Sequence, residues 1–201
     1  VTSIDFASAK ALLRYFILSK IENVVLTKSK NVTAMTVSAG LKNILESRGS
    51  SNVVLLYNLP PDYGDEKVFR TGGKSRLVFV GNHTRFPVEA LTYLSELGLE
   101  IDFYGRGWTE LKLSEKERQC VNYMGAFSAH DLSFLQGYVA QIYIIPRITN
   151  QNIKYSMPNK VFQAMKFGVP TIVSPNLEEI IRCFKWPKGP VFVVNDMAEL
   201  P

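Results

Sequence analysis

Lys160 and Gln163 stand three residues apart near the start of a segment, Pro158–Phe167, whose sequence predicts a helix. Pro158 suits a first helical turn, Ser156 or Asn159 can supply capping oxygens, and Gly168 ends the run before the β-branched stretch Val169–Ser174. Val161, Phe162 and Met165 are spaced to form a buried face, while Lys160 and Gln163 share a different one. A cation in a first helical turn is unfavourable by about several tenths of a kcal/mol, because the macrodipole already places positive charge there. The placement makes physical sense if an anion occupies that end. Free backbone N–H groups, the dipole and the Lys160 ammonium together suit a diphosphate. Gln163, one turn further along, can donate to and accept from a ribose or a base. Taken alone, an ordinary surface lysine and glutamine would fit the two positions equally well.

Such a helix needs a sheet edge beside it. From Ser75 onward, short apolar runs predict strands at Arg76–Val80, Glu100–Tyr104, Val121–Met124, Gln141–Ile145, Pro170–Ser174 and Val191–Val194. Helices are expected between them, at Pro87–Leu97, His130–Gly137, Pro158–Phe167 and Leu177–Cys183. Runs without polar alternation are those of strands covered on both faces, and strands alternating with helices argue for right-handed crossovers. The expected fold class is α/β, a doubly wound parallel Rossmann-like sheet preceded by a partial second α/β domain.

In such a sheet, ligands collect beyond the carboxyl ends of the strands. The first of those loops is Val80-Gly-Asn-His-Thr-Arg-Phe-Pro87, where Gly81 permits close backbone approach, Asn82 follows, Arg85 offers a charged fork and Pro87 opens a helix. His83 is a further candidate contact in the same loop, whereas His130 reads as a residue that caps or flanks a helix. The second loop begins Gly105-Arg-Gly-Trp108, which falls short of a six-residue dinucleotide fingerprint and fits a plain turn as well as a ligand contact. The long polar stretch Ile145–Met157 delivers the chain into the Lys160 helix.

The first sixty residues read differently: a helix over Phe6–Ser19, a strand over Asn23–Thr27, a helix over Val32–Leu45 and a strand over Asn52–Tyr57. The expected organisation is the closing part of one Rossmann-like domain (1–60), a Pro- and Gly-containing linker (61–74) and a second, nucleotide-binding domain (75–201). A tract this short cannot close its own sheet, and the chain stops where another helix would begin, so a fragment of a longer protein is expected.

Composition narrows the function classes. Hydrophobic residues make up 46 % of 201 and charged ones 20 %, which predicts a globular chain. No apolar run reaches the ~18 residues of a membrane span, and the first residues lack a secretory pattern. Cys120 and Cys183 show no metal or redox spacing and read as reduced thiols of a cytoplasmic protein. The formal charge of +5 suits an anionic partner or merely a solvated basic surface. Nucleic acid is not expected, since basic and aromatic residues do not interleave in a patch.

Three stretches carry a family resemblance: Arg76-Leu-Val-Phe-Val-Gly81, Tyr123-Met-Gly-Ala-Phe-Ser-Ala-His-Asp-Leu132 and Met157–Pro175. They resemble the donor-binding domain of GT-B glycosyltransferases, and Val25–Ser29 and Val54–Pro60 are similar to the end of the acceptor-side domain. The resemblance implies a nucleotide diphosphate-sugar donor, of which UDP-sugar is the leading choice, held mainly by the second domain. The implied acceptor is a saccharide or lipid-linked sugar, in bacterial surface polysaccharide synthesis at the inner face of the cell membrane. Retaining members carry two glutamates eight positions apart; here Tyr155 and Gln163 occupy those places. The Lys-x-x-Gln arrangement instead resembles bacterial polysaccharide glucuronosyltransferases of the xanthan-assembly type. By that resemblance Lys160 meets the diphosphate and Gln163 the nucleoside; Asn159, Met157, Tyr155, Gly81, Asn82, Arg85 and Gly105 complete the expected donor-binding set.

Charge grows on the departing nucleotide diphosphate as the glycosidic bond breaks, and Lys160, the helix dipole and Arg85 would stabilise it. No cofactor and no metal are expected, and no catalytic base is assigned within this chain. Three alternatives stay open: a non-catalytic nucleotide-sugar binding module or degenerate transferase subunit, a sugar-nucleotide epimerase of the same fold, and a nicotinamide dehydrogenase. The last lacks both its glycine fingerprint and its ribose-binding acid.

Overall fold

The computed structural model describes residues 14, 16–17, 20–21, 23–28, 31–58, 74–128, 131–143, 151–185, 187 and 189–194. The chain divides into two units, Val1–Tyr57 and Asn58–Pro201. In the first, strands β1 (Ala34–Thr36) and β2 (Val53–Leu55) pair in parallel and flank helix α1 (Ala39–Ser47). The helix expected over Val32–Leu45 is corrected here, since its first part is strand. Val32, Thr33, Thr36 and Val37 are β-branched and favour extended backbone. Ser38 then delays the helix start, its Oγ accepting the Leu41 N–H at 3.1 Å.

The strand expected over Asn23–Thr27 is corrected too: residues 23–28 are helical. Thr27 Oγ1 donates to the Asn23 carbonyl at 2.7 Å, a back-bond to the previous helical turn. Two valines cost a helix only about tenths of a kcal/mol each, too little to break it. Of the helix expected over Phe6–Ser19, residues 14, 16 and 17 are described and helical. Nearly all of the expected linker lies outside the described residues.

The second unit holds all six expected strands: β3 (Lys74–Asn82), β4 (Ile101–Arg106), β5 (Val121–Gly125), β6 (Tyr138–Tyr143), β7 (Thr171–Val173) and β8 (Val191–Val193). They form one sheet in the order β5-β4-β3-β6-β7-β8, with every neighbouring pair parallel. Helices α2 (Val88–Glu96), α3 (Glu115–Gln119), α4 (Gln151–Lys154), α5 (Asn159–Lys166) and α6 (Glu178–Phe184) connect them. Along β3, successive residues point to opposite faces. Leu77, Phe79, Ile101, Phe103, Ala140 and Ile142 pack with Ala90, Leu91 and Leu94 of α2, whereas Val78, Val80 and Tyr138 pack with Ala164 of α5. Both faces are covered, which is why these strands read as unbroken apolar runs.

The helix expected over His130–Gly137 is not formed. Its first residue, His130, lies outside the described residues, and Ser133–Leu135 makes a single 3-10 turn. Asp131 Oδ1 accepts both the Ser133 hydroxyl at 2.8 Å and its N–H at 3.3 Å, and Gly137 has φ +96°, so local capping closes the turn at once. Within the expected polar loop, residues 144–150 are not described, and Gln151–Lys154 forms the short α4. Cys120 and Cys183 are free thiols. Among the described residues no helix is long and apolar enough to cross a membrane.

One polar cluster is buried with the second core. The Asp102 carboxylate, fully buried on β4, accepts the Tyr138 hydroxyl at 2.6 Å and Asn122 Nδ2 at 3.2 Å, and pairs with Arg76 at 3.4 Å. Arg76 also pairs with Glu100 at 2.7 Å. Burial, then the Asp102 hydrogen bond, push the Tyr138 phenol far above the ordinary tyrosine range, so it remains a donor. Tyr138→Phe should lower stability by about 1.5–3 kcal/mol, the range for a hydrogen bond to a charged group. Urea denaturation measures this, and an unchanged midpoint would show that Asp102 is satisfied without the phenol.

Candidate functional site

The strand order reverses beside β3: β4 lies on one side of it and β6 on the other. Loops leaving neighbouring strands in opposite directions open a crevice at the carboxyl edge. Two cavities lie there, sharing Gly81, Asn82 and Lys160 in their walls. One, of about 290 Å³, adds Gly105, Arg106, Ala126 and Phe127. The other, of about 300 Å³, adds Phe79, Val80, Thr84, Arg85 and Tyr143.

Lys160 is the second residue of α5, which starts where Pro158, with φ −67° and ψ 125°, still holds the chain extended. Its Nζ lies 4.5 Å from the centroid of the Phe127 ring, an attraction between ammonium and aromatic face. Burial, and secondly the positive charge of Arg85, pull its pKa below the ordinary lysine range. Among the described residues no carboxylate pairs with it. Arg85 Nη1 donates to the Tyr143 hydroxyl at 3.3 Å, tying the loop after β3 to the end of β6 across the reversal. Burial raises the Tyr143 phenol above its ordinary range and outweighs the opposing pull of Arg85, which leaves a neutral acceptor. Asn82 shapes the same loop, its Oδ1 accepting the Thr84 N–H and hydroxyl, both at 3.0 Å.

The edge between β3 and β4 is held by backbone. Gly81 and Gly105 are register partners, and Gly105 has φ +156°. A Cβ on Gly105 would lie 1.7 Å from the Gly81 carbonyl oxygen. The glycine pair therefore serves strand approach at the crevice floor. Gly107, φ +82°, meets His83 in the same way, a Cβ there falling 1.8 Å from Nδ1. His83 Nε2 reaches Glu110 Oε2 at 3.1 Å, so this histidine links two loops and lines neither cavity.

Of the residues singled out by sequence, Lys160, Arg85, Asn82, Gly81 and Gly105 come together at the crevice. Asn159, Gln163, Met157 and Tyr155 line neither cavity. Asn159 is exposed, Gln163 is half-buried one turn along α5, and Met157 is buried, its carbonyl accepting Asn58 Nδ2 at 3.0 Å. Tyr155 lies beneath Lys154, whose Nζ is 5.4 Å from its ring centroid. Arg106, Phe127, Thr84 and Tyr143 join the site without having been singled out. Arg106 and Thr84 lay inside the two loops already marked, and Phe127 lay in a stretch that carried the family resemblance. Nothing local marked Tyr143, a strand-end tyrosine with no special neighbours in sequence.

No protein-family model matches the chain, and no curated protein matches it. Among solved structures it is similar to AviGT4, a glycosyltransferase involved in avilamycin A biosynthesis. The identity is 16 % and the TM-score 0.54, over 83 % of this chain and 54 % of that one. It is also similar to the sucrose-phosphate synthase of Thermosynechococcus elongatus, at 12 % identity and a TM-score of 0.58, over 89 % of this chain and 49 % of that one. The chain thus spans about half the length of these enzymes. Likeness at this identity shows the fold, a Rossmann-like α/β domain of the GT-B kind, in agreement with the strand order.

Gly105→Ala should cost about 3 kcal/mol or more, since the added methyl meets backbone at a strained φ and β3 and β4 must separate. Thermal unfolding of the variant checks this, and a midpoint equal to that of the parent would show that the strand ends can part freely.

Proposed function

We propose that the second unit binds the nucleotide diphosphate part of a sugar donor and belongs to a glycosyltransferase. The observation that carries this reading is the Lys160 ammonium: half-buried at the switch point, without an acidic partner among the described residues, and sharing a cavity with Arg85. Two cations placed together in a crevice repel, and a diphosphate relieves that repulsion at the amino end of α5. The cavity beside Phe127, floored by glycine backbone at Gly81 and Gly105, offers room and an apolar wall for the nucleoside. The fold shared with two glycosyl-transferring enzymes supports the same reading.

In the proposed reaction, an acceptor hydroxyl oxygen bonds to the anomeric carbon and gives up its proton to a base outside this unit. The bond from that carbon to the diphosphate oxygen breaks, and its electron pair goes to the departing diphosphate. Lys160 and Arg85 face the growing negative charge and are already oriented, so little reorganisation is needed in the transition state. The acceptor is proposed to be a saccharide or lipid-linked sugar of bacterial surface polysaccharide, met at the cytoplasmic face of the membrane. UDP is the proposed nucleotide, and hexosyl or uronosyl transfer of the xanthan-assembly type the proposed subclass. Arg85 and Lys160 supply the charge stabilisation in this scheme without a metal.

Among the described residues, no aspartate or glutamate lines either cavity. That observation favours a second reading, a nucleotide-sugar binding module without chemistry of its own. UDP binding with no donor hydrolysis or transfer by the full-length protein would support the second reading; turnover would exclude it.

Lys160→Ala should weaken UDP binding by about 1.5–3 kcal/mol, the range for a charge-assisted hydrogen bond. Calorimetry decides, and an unchanged dissociation constant would remove Lys160 from the phosphate site. The lowered pKa gives a second test, with opposite signs for binding and folding. An anion needs the charged lysine, so pyrophosphate affinity should fall as pH rises through the lowered value. The unfolded chain keeps that proton up to about 10.4, so across the same window it binds more protons and stability should rise with pH. Lys160→Arg, charged throughout, should lose this pH dependence of affinity, as read by pyrophosphate titrations at increasing pH.

A further inference from the structure

Gln141 is 1 % exposed on β6, with Val78 of β3 and Thr171 of β7 as its register partners. A parallel strand covered on both faces ordinarily takes an aliphatic side chain at such a place. Gln141 is only half satisfied there. Its Nε2 donates to the Lys160 carbonyl at 3.2 Å, whereas its Oε1 is buried without a hydrogen-bond partner, as is Thr171 Oγ1. A buried oxygen left unpaired is destabilising, and a leucine of similar volume would remove that cost. Stability therefore does not account for the residue.

What the amide supplies is a fixed link from the middle of the sheet to the first turn of α5. Two residues further along β6, the Tyr143 hydroxyl holds Arg85. One strand thus anchors both cations of the crevice, one through the Lys160 backbone and the other through the Arg85 side chain.

We propose that Gln141 is a positioning residue, which fixes the amino end of α5 over the sheet and thereby holds the Lys160 ammonium in the crevice against Phe127 and beside Arg85. Its effect on anion binding rests on the donor-site reading given above; its effect on the placement of Lys160 does not. Polar groups that break the local packing rule gather at functional sites, and Gln141 breaks it directly beneath the phosphate-facing helix.

The test compares the full chain with Gln141→Leu, and with Gln141→Met as a second, length-preserving variant should leucine disturb folding. Three quantities are measured: the unfolding midpoint, the NMR titration of the Lys160 side chain, and pyrophosphate affinity by calorimetry. The expected result is a midpoint at or above the parent's, with the Lys160 titration displaced toward that of an ordinary lysine. Pyrophosphate affinity should weaken by about tenfold, the scale on which supporting contacts of a binding group act. A Lys160 titration that stays where it was overturns the proposal, and does so whether or not the midpoint falls, because a lower midpoint alone marks a packing role. If the parent chain takes up no pyrophosphate, the donor-site reading fails, and the Lys160 titration still decides the role of Gln141.

Discussion

The repulsion between Lys160 and Arg85 is the constraint around which the crevice is arranged. Both line one cavity at the carboxyl edge of the sheet, and the positive charge of Arg85 adds to burial in destabilising the charged form of Lys160. The α5 macrodipole brings further positive potential to the same place. All three effects act in the same direction, against the charged form of Lys160. A folded chain tolerates such an arrangement when a rigid scaffold enforces it. Here the scaffold is a parallel sheet whose two cores cover both faces, with Tyr143 holding one cation and the Phe127 ring facing the other.

The backbone at the floor of the crevice matters as much as the side chains. Gly81 and Gly105 sit opposite each other at the last register positions but one of β3 and β4. Their strands approach so closely that a methyl group on Gly105 would overlap a carbonyl oxygen. Beyond them, Gly107 makes room for the His83 ring, which bridges to Glu110. The turn that carries Arg85 and the strand end that carries Arg106 therefore share a stiff edge. The buried Asp102 cluster near the opposite ends of the strands is chemically quite different. Its carboxylate is met by a phenol, an amide and a guanidinium, so its charge is compensated inside the fold.

The second unit was largely legible from its residues. Strands covered on both faces need apolar runs, and all six runs became strands, because burial on two sides leaves few alternatives for such a segment. The helix carrying Lys160 was equally plain, with a proline before it and a glycine after it. The first unit was less so. Val24 and Val25 lie in a helix in spite of their strand preference, and Ala34–Thr36 forms a strand although a helical pattern follows. Short segments with few long-range contacts are decided by small propensity differences, which a neighbouring cap such as Ser38 can reverse.

Sequence alone determined the alternation of strand and helix, the cation near the start of α5, and the glycine-bearing segments at the carboxyl edge of the sheet. All of these depend on interactions within a few residues or on a repeating apolar pattern. The strand order, and with it the meeting of Gly81, Arg85, Phe127, Tyr143 and Lys160, was decided by tertiary structure. So was the burial of Gln141 beneath the Lys160 carbonyl. Residues 58 and 75 positions apart along the chain become neighbours only because β3 and β6 pair across the centre of the sheet, and no local pattern encodes which strands will do so.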